Sequence, residues 1–179
     1  MLYYKGMEEV MELKDTIRAI KDYPKEGVIF RDITTLLKDK DAFQKAVDQM
    51  AEKIDDDVDK IVGIEARGFI FASALAYKLD KGFVPVRKPG KLPWDKERES
   101  YELEYGEDSI EIHKDALEPG EKVVIVDDLL ATGGTAKASV NLVEKLKGEV
   151  SSMIFLVELE DLKGREVLSG TRVESIIKY

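Results

Sequence analysis

Val123-Val124-Ile125-Val126-Asp127-Asp128-Leu129-Leu130-Ala131-Thr132-Gly133-Gly134-Thr135 is the stretch that decides how this chain is built. Its four β-branched apolar residues predict a strand buried on both faces, as in a parallel sheet. Two carboxylates follow, then a short turn, two glycines flanked by threonines, and a helix. Gly133 and Gly134 permit backbone conformations closed to other residues. The amides can then converge as an anion nest at a helix N-terminus, with Thr132 and Thr135 adding hydroxyl donors. A phosphate monoester suits such a nest, but Asp127 and Asp128 would repel a phosphate placed against them. They make sense if the ligand carries hydroxyls beside its phosphate, because carboxylates accept hydrogen bonds from a vicinal diol. The stretch reads as a site for a ribose 5-phosphate. It is neither a Walker loop nor a dinucleotide Gly-x-Gly-x-x-Gly turn. The plainer alternative is a strand-turn-helix junction whose acids cap the helix.

Working outward, Lys60–Ile64 and Gly82–Val86 read as short strands on either side of a helix over Gly68–Leu79. Gly134 through Lys147 reads as a helix with Gly148 as its stop. Ser152–Val157 and Val173–Ile177 supply the last strands. Such alternation predicts an α/β fold with a mostly parallel central sheet, in which ligands bind beyond the carboxyl ends of the strands. Nearer the N-terminus, Val10, Leu13, Ile17 and Ile20 recur at helical spacing and predict a helix ending before Pro24. Asp41 is expected to cap a second helix with the stripe Phe43, Ala46, Val47, Met50 and Ile54. The segment from Lys88 to Trp94 reads as a loop, extended by a charged stretch to Ser100. Tyr101–Tyr105 and Ser109–His113 alternate like strands, with Gly106-Glu107-Asp108 as the hairpin turn.

The chain has 179 residues, 44% of them hydrophobic, which fits one folded domain. With 28 basic and 37 acidic residues its formal charge is −9. That disfavours nucleic-acid binding, which needs a cationic footprint. An anionic ligand must be held by a local site that opposes the global charge. There is no cysteine, so disulfides, thiolate catalysis and cysteine zinc sites are excluded, and a cytoplasmic location is expected. No apolar run approaches the ~20 residues that cross a bilayer, so no membrane association is expected. Met1 to Gly6 lacks the apolar stretch of a signal peptide.

The Val123–Thr135 stretch resembles the phosphoribosyl pyrophosphate motif of type I phosphoribosyltransferases, in the wording of their adenine branch. Five further blocks carry the resemblance: Tyr23 to Ile33, Glu65-Ala66-Arg67-Gly68-Phe69, Val86 to Pro93, Tyr101 to Gly106, and Leu159 to Glu166. It implies the fold of that family over residues 1–179, as a single domain. A mostly parallel central sheet would be flanked by helices, with a small hood from about residues 1–35. It implies a homodimer and purine salvage: adenine plus phosphoribosyl pyrophosphate gives AMP and pyrophosphate, with Mg2+ held mainly by substrate oxygens and water. Residues Met1 to about Met11 extend beyond the shared core, with Met7 or Met11 as alternative starts. The Trp94–Ser100 stretch matches no family consensus.

The resemblance also assigns residues. Ala131, Thr132, Gly133, Gly134 and Thr135 would hold the 5-phosphate, and Asp127 and Asp128 the ribose hydroxyls. Arg67 would meet the leaving pyrophosphate, to which its planar fork is suited. Arg87, Lys88 and Lys91 form a cationic patch, of which Lys88 and Lys91 are expected to contact pyrophosphate. Glu104 would handle the proton on the purine's imidazole ring, with Tyr105 nearby in the lid. Ile29, Phe30 and Arg31 match the adenine pocket, although Ile29 and Phe30 equally suit a core, and Arg31 a salt bridge or a partner's site. His113 reads as structural, and Trp94 has no assigned role. Two rival readings remain: a sensor of phosphoribosyl pyrophosphate without catalysis, and the same chemistry on hypoxanthine, guanine or xanthine.

Overall fold

The computed structural model describes residues 11–102 and 106–179. Contacts divide the chain into two compact units, Met1–Ala46 and Val47–Tyr179. In the first, a 3-10 turn at Leu13–Thr16 leads into β1 (Arg18–Lys21), antiparallel to β2 (Ile29–Asp32). The expected helix to Pro24 is therefore not formed. Ile20 sits opposite Phe30 in a two-stranded ladder, and this non-local pairing overrides a short helical periodicity. The turn between the strands is tied by the Gly27 N–H, which donates to Asp22 Oδ1 at 2.8 Å. A single helical turn follows, α1 (Thr34–Leu37), where Asp32 Oδ1 accepts from the Thr34 N–H at 2.9 Å.

Helix α2 (Lys40–Ala51) crosses the boundary between the units. Its cap is Asp39, not Asp41. Asp39 Oδ1 accepts the N–H groups of Asp41 and Ala42, both at 3.0 Å. A cap serves amides two and three residues ahead, which places Asp41 inside the first turn. Ala46, Val47 and Met50 of the expected stripe are buried, joined by Ala42, while Ile54 lies beyond the helix.

The second unit is the sheet and its helices. In chain order come β3 (Lys60–Ile64), α3 (Gly68–Lys78), β4 (Gly82–Val86), β5 (Lys96–Glu102), β6 (Glu107–His113), β7 (Lys122–Leu130), α4 (Gly134–Lys145), β8 (Glu149–Glu158), α5 (Gly164–Val167) and β9 (Val173–Lys178). Five of these strands form one parallel sheet in the order β4-β3-β7-β8-β9. Its two faces are covered separately. Val62, Ile125 and Phe155 share a core with Ala138, Leu142 and Val143 of α4. A Cβ on Gly63 would strike Ala72 of α3 at 2.7 Å, so α3 covers the opposite face. Chain order reverses between β3 and β7, which makes this the switch point where such sheets open a crevice.

Several boundaries differ from the sequence reading. Lys96–Ser100 is strand, not loop: its charged residues pair with β6, Lys96 opposite His113 and Ser100 opposite Ser109. Glu107 and Asp108 belong to β6 instead of the turn, opposite Glu102 and Tyr101. Helix α4 ends at Lys145, and its left-handed stop is Lys147 (φ 62°), not Gly148. Gly148 serves close packing instead, since a Cβ there would lie 2.9 Å from Leu117.

Candidate active site

Strand β7 does not stop at Val126. It continues through both acids to Leu130, with Asp127 opposite Phe155 of β8. The carboxylates thus stand on a rigid strand end, and Asp128 is only 5% exposed. Burial pushes the Asp127 carboxyl well above the usual carboxylate range, and the neighbouring Asp128 pushes it the same way. Burial also raises Asp128, against the pull of Arg67. Two acids held this close, one buried and one half-buried at the cavity, resist joint ionisation, and hydroxyl groups donating to them would relieve that cost.

Beyond Leu130 the chain turns through Ala131 and Thr132 into Gly133, which adopts φ 87° and ψ −2°. Such a conformation favours glycine. A Cβ there would also lie 2.6 Å from the carbonyl oxygen of Gly164. Gly133 is the N-cap of α4 and offers no side-chain acceptor, so the first-turn amides remain for an anion. The turn encloses a cavity of about 90 Å³ lined by Asp127 and by Ala131 through Thr135. All seven ribose-phosphate residues expected from sequence come together here except Asp128, which sits one position along the strand facing Arg67.

The second turn follows the neighbouring strand β3. Arg67 Nε lies 2.9 Å from Asp128 Oδ2, so the arginine expected at the leaving group is anchored on an acid expected at the ribose. Gly68 is required by proximity: a Cβ there would fall 2.7 Å from Asp127 Oδ1 and 2.9 Å from the Val126 carbonyl. Glu65 joins this group without having been singled out in the sequence. Its side chain is 5% exposed and is contacted by Arg87 Nε at 2.8 Å and Lys91 Nζ at 2.5 Å. Burial opposes its ionisation, but hydrogen bonds from Lys91 and Arg87 hold it below the usual range. Lys88 donates to Tyr101 Oη at 2.9 Å and also to Asp108. Each of the three cations expected to form the patch is held by a carboxylate, Arg87 and Lys91 by Glu65 and Lys88 by Asp108.

Tyr101 borders the phosphate turn: a Cβ on Gly134 would lie 3.3 Å from its ring. A cleft of about 440 Å³ beside it is lined by Tyr101, Glu102, Thr132, Lys137 and Asn141, among others. Glu104 and Tyr105 lie outside the described residues. Ile29, Phe30 and Arg31 form β2 of the N-terminal unit, where the Phe30 ring meets Tyr23 edge to face at 5.3 Å and Ile29 is 46% exposed. Among the described residues, no cluster of three or more His, Asp or Glu side chains could hold a metal ion. No helix among them is long and apolar enough to cross a membrane.

Residues 34–177 match the phosphoribosyl transferase domain family. The adenine phosphoribosyltransferase of Halothermothrix orenii is 59% identical over 94% of this chain and 99% of its own length. The chain belongs to the adenine phosphoribosyltransferase family. Its type I fold is shared with solved members. That of Thermoanaerobacter pseudethanolicus superposes with a TM-score of 0.90 at 55% identity, covering 93% of this chain and 98% of that one. The adenine phosphoribosyltransferase of Saccharomyces cerevisiae was solved with an imino-altritol bisphosphate and adenine. It superposes with a TM-score of 0.84 at 42% identity, covering 90% and 94%.

Glu65 is the residue that a sequence reading passes over. Its signal is in the block Glu65-Ala66-Arg67: an acid just past a strand end, where burial is expected, needs a cationic partner. The partners, Arg87 and Lys91, are more than twenty positions away, and only the parallel pairing of β3 with β4 brings them near.

Proposed function

We propose that this chain transfers the 5-phosphoribosyl group of phosphoribosyl pyrophosphate to adenine, releasing AMP and pyrophosphate. The observation that carries the reading is the acid pair on β7 running directly into the left-handed Gly133 turn, with Arg67 anchored on Asp128. Ala131 through Thr135 bind the 5-phosphate, and Asp127 and Asp128 accept the ribose hydroxyls. Arg67, Lys88 and Lys91 take the pyrophosphate. The bond from the sugar's anomeric carbon to pyrophosphate oxygen breaks with its electron pair leaving on pyrophosphate. The carbon passes through an oxocarbenium-like state while a purine nitrogen closes on it, and Glu104 handles the proton of the imidazole ring. Fixing both reactants in line supplies much of the acceleration.

Adjacent carboxylates without a dedicated cage suit a magnesium ion that keeps substrate oxygens and water as most of its ligands. Asp127 and Asp128 are the residues placed to meet it or its waters, and the ion would neutralise the leaving pyrophosphate. Ile29, Phe30 and Arg31 supply the adenine pocket, and residues 1–35 the hood of a single catalytic domain. The working form is a homodimer, supported by the exposed apolar side chains of α3 and β4: Tyr77 at 92%, and Ile70 and Phe83 at 37%. A cytoplasmic location fits the phosphorylated substrates.

Incubation with phosphoribosyl pyrophosphate, magnesium and each purine in turn tests the reading. AMP from adenine is expected. IMP, GMP or XMP in place of AMP would reassign the base, and no nucleotide from any base would make the protein a ligand sensor.

A further inference from the structure

The block Leu159–Glu166 has no part in the site described above, yet its Gly164 touches the phosphate turn. A Cβ on Gly133 would meet Gly164 O at 2.6 Å and Gly164 Cα at 3.3 Å. A Cβ on Gly164 would itself collide with the carbonyl oxygen of Ala131 and lie 2.8 Å from Leu130 Cδ1. The nest therefore rests backbone against backbone on Gly164, with no room for a side chain on either partner. Gly164 opens α5, a four-residue turn entered through left-handed Lys163 (φ 54°). A helix that short does not hold its own position.

The next residue does. Arg165 Nε and Nη2 grip Glu158 Oε1 and Oε2 at 2.6 and 2.8 Å, in the two-pronged geometry of a guanidinium on a carboxylate. Its Nη1 donates to the carbonyl of Val173 at 2.6 Å, and Nη2 also reaches Ser175 Oγ at 3.1 Å. Ser175 Oγ donates in turn to Glu158 Oε2 at 2.5 Å. Glu158 is 4% exposed at the end of β8, beside Leu130 of β7 and Lys178 of β9. An ion pair whose arginine side chain is 39% exposed is weak support for stability. Its fixed, fully engaged fork is strong support for position. None of the three clamp residues lines the phosphate cavity.

We propose that Glu158, Arg165 and Ser175 are positioning residues that fix Gly164 as the floor of the 5-phosphate nest. The inference rests on the phosphate-site reading above. The clamp spans the ends of two strands and ties α5 to the sheet, so loosening it lets Ala131 and Gly133 drift from the geometry that aims their amides. Misplacement by about 1 Å can cost ~10²-fold.

The test compares Arg165→Lys, Ser175→Ala and Gly164→Ala with the native protein. For each, ribose 5-phosphate binding is measured by calorimetry, the KM of both substrates by initial rates, and the Tm by melting. For Arg165→Lys the Kd for ribose 5-phosphate and the KM for phosphoribosyl pyrophosphate are expected to rise together by about tenfold. Smaller rises are expected for Ser175→Ala, and the adenine KM at saturating phosphoribosyl pyrophosphate should hold. A lowered Tm with unchanged Kd and KM would make the clamp merely structural and overturn the proposal. If Arg165→Lys does not fold, Ser175→Ala and Gly164→Ala decide by the same readouts. Native protein that fails to bind ribose 5-phosphate would instead overturn the phosphate site itself.

Discussion

Replacing Gly133 by alanine separates two adjacent glycines that look equivalent in sequence. Gly133 sits at φ 87°, where an L side chain costs about 1–2 kcal/mol. The new Cβ would lie 2.6 Å from the carbonyl oxygen of Gly164. That neighbour is backbone and cannot swing aside, and overpacking of this kind costs about 1–3 kcal/mol. Together these destabilise by about 2–5 kcal/mol, a fall in Tm of roughly 4–20 °C for a domain of this size. Gly134→Ala is the control. Its Cβ would meet the Tyr101 ring edge at 3.3 Å and the Glu102 carbonyl oxygen at 3.5 Å, an ordinary contact, at a helical position. Alanine in a helix is favoured over glycine by up to about 1 kcal/mol, so this variant should stay within about 1 kcal/mol of the native protein. Urea and thermal melts of both variants measure the difference, and a ribose 5-phosphate titration reports on the displaced turn. Equal stability for the two alanines would refute the reasoning, because it would mean that neither the left-handed turn nor the contact with Gly164 constrains Gly133.

Asp127→Asn tests the cost of the ribose acids. Burial raises the Asp127 pKa above its unfolded value of 3.8, so its charged form destabilises the fold at neutral pH and stability is lost as pH rises through the raised value. The variant should melt higher than native at pH 7, with the gain fading as pH falls toward the ordinary carboxylate range, while ribose 5-phosphate binds more weakly; a gain independent of pH would count against the burial argument. Glu104→Ala should lower turnover by ~10²–10⁴ with phosphoribosyl pyrophosphate binding near normal, and unchanged turnover in initial-rate assays would remove the proton-handling role. Asp39→Ala should cost about 0.5–2 kcal/mol in chemical melts through loss of the α2 cap, whereas Asp41→Ala should cost less; the reverse order would restore Asp41 as the cap.

The sheet was legible because its strands are short, continuous apolar runs set between helical patterns, as at Val123–Val126 and Lys60–Ile64. The turn after β7 is legible because two acids and then two glycines stand between a buried apolar run and a helical pattern, and Gly133 takes the left-handed conformation there. What stayed hidden depends on partners distant in sequence. The charged Lys96–Ser100 stretch becomes a strand only by pairing with β6, and Ile20 leaves a helical pattern because Phe30 is available across a ladder. The cap of α2 was misplaced by two residues, since Asp39 and Asp41 differ only in which amides they can reach. Gly164 carried no sign of its contact with Gly133, because the thirty residues between them include a whole strand and helix.

The pairing of β3 with β7 sets a ruler. The two strands run side by side in register, with Gly63 opposite Val126, and backbone hydrogen bonding keeps neighbouring strands about 4.7–4.9 Å apart. One proposed anion turn leaves each strand: the arginine turn leaves β3 and the phosphate turn leaves β7. A ligand bridging them is gauged against a fixed interval and not against a loop that can stretch to meet it. Molecules with one anionic group, or with two set at another distance, can fill either turn but not both. The span between the two ends of the substrate is thus measured by the same ladder that holds the sheet together.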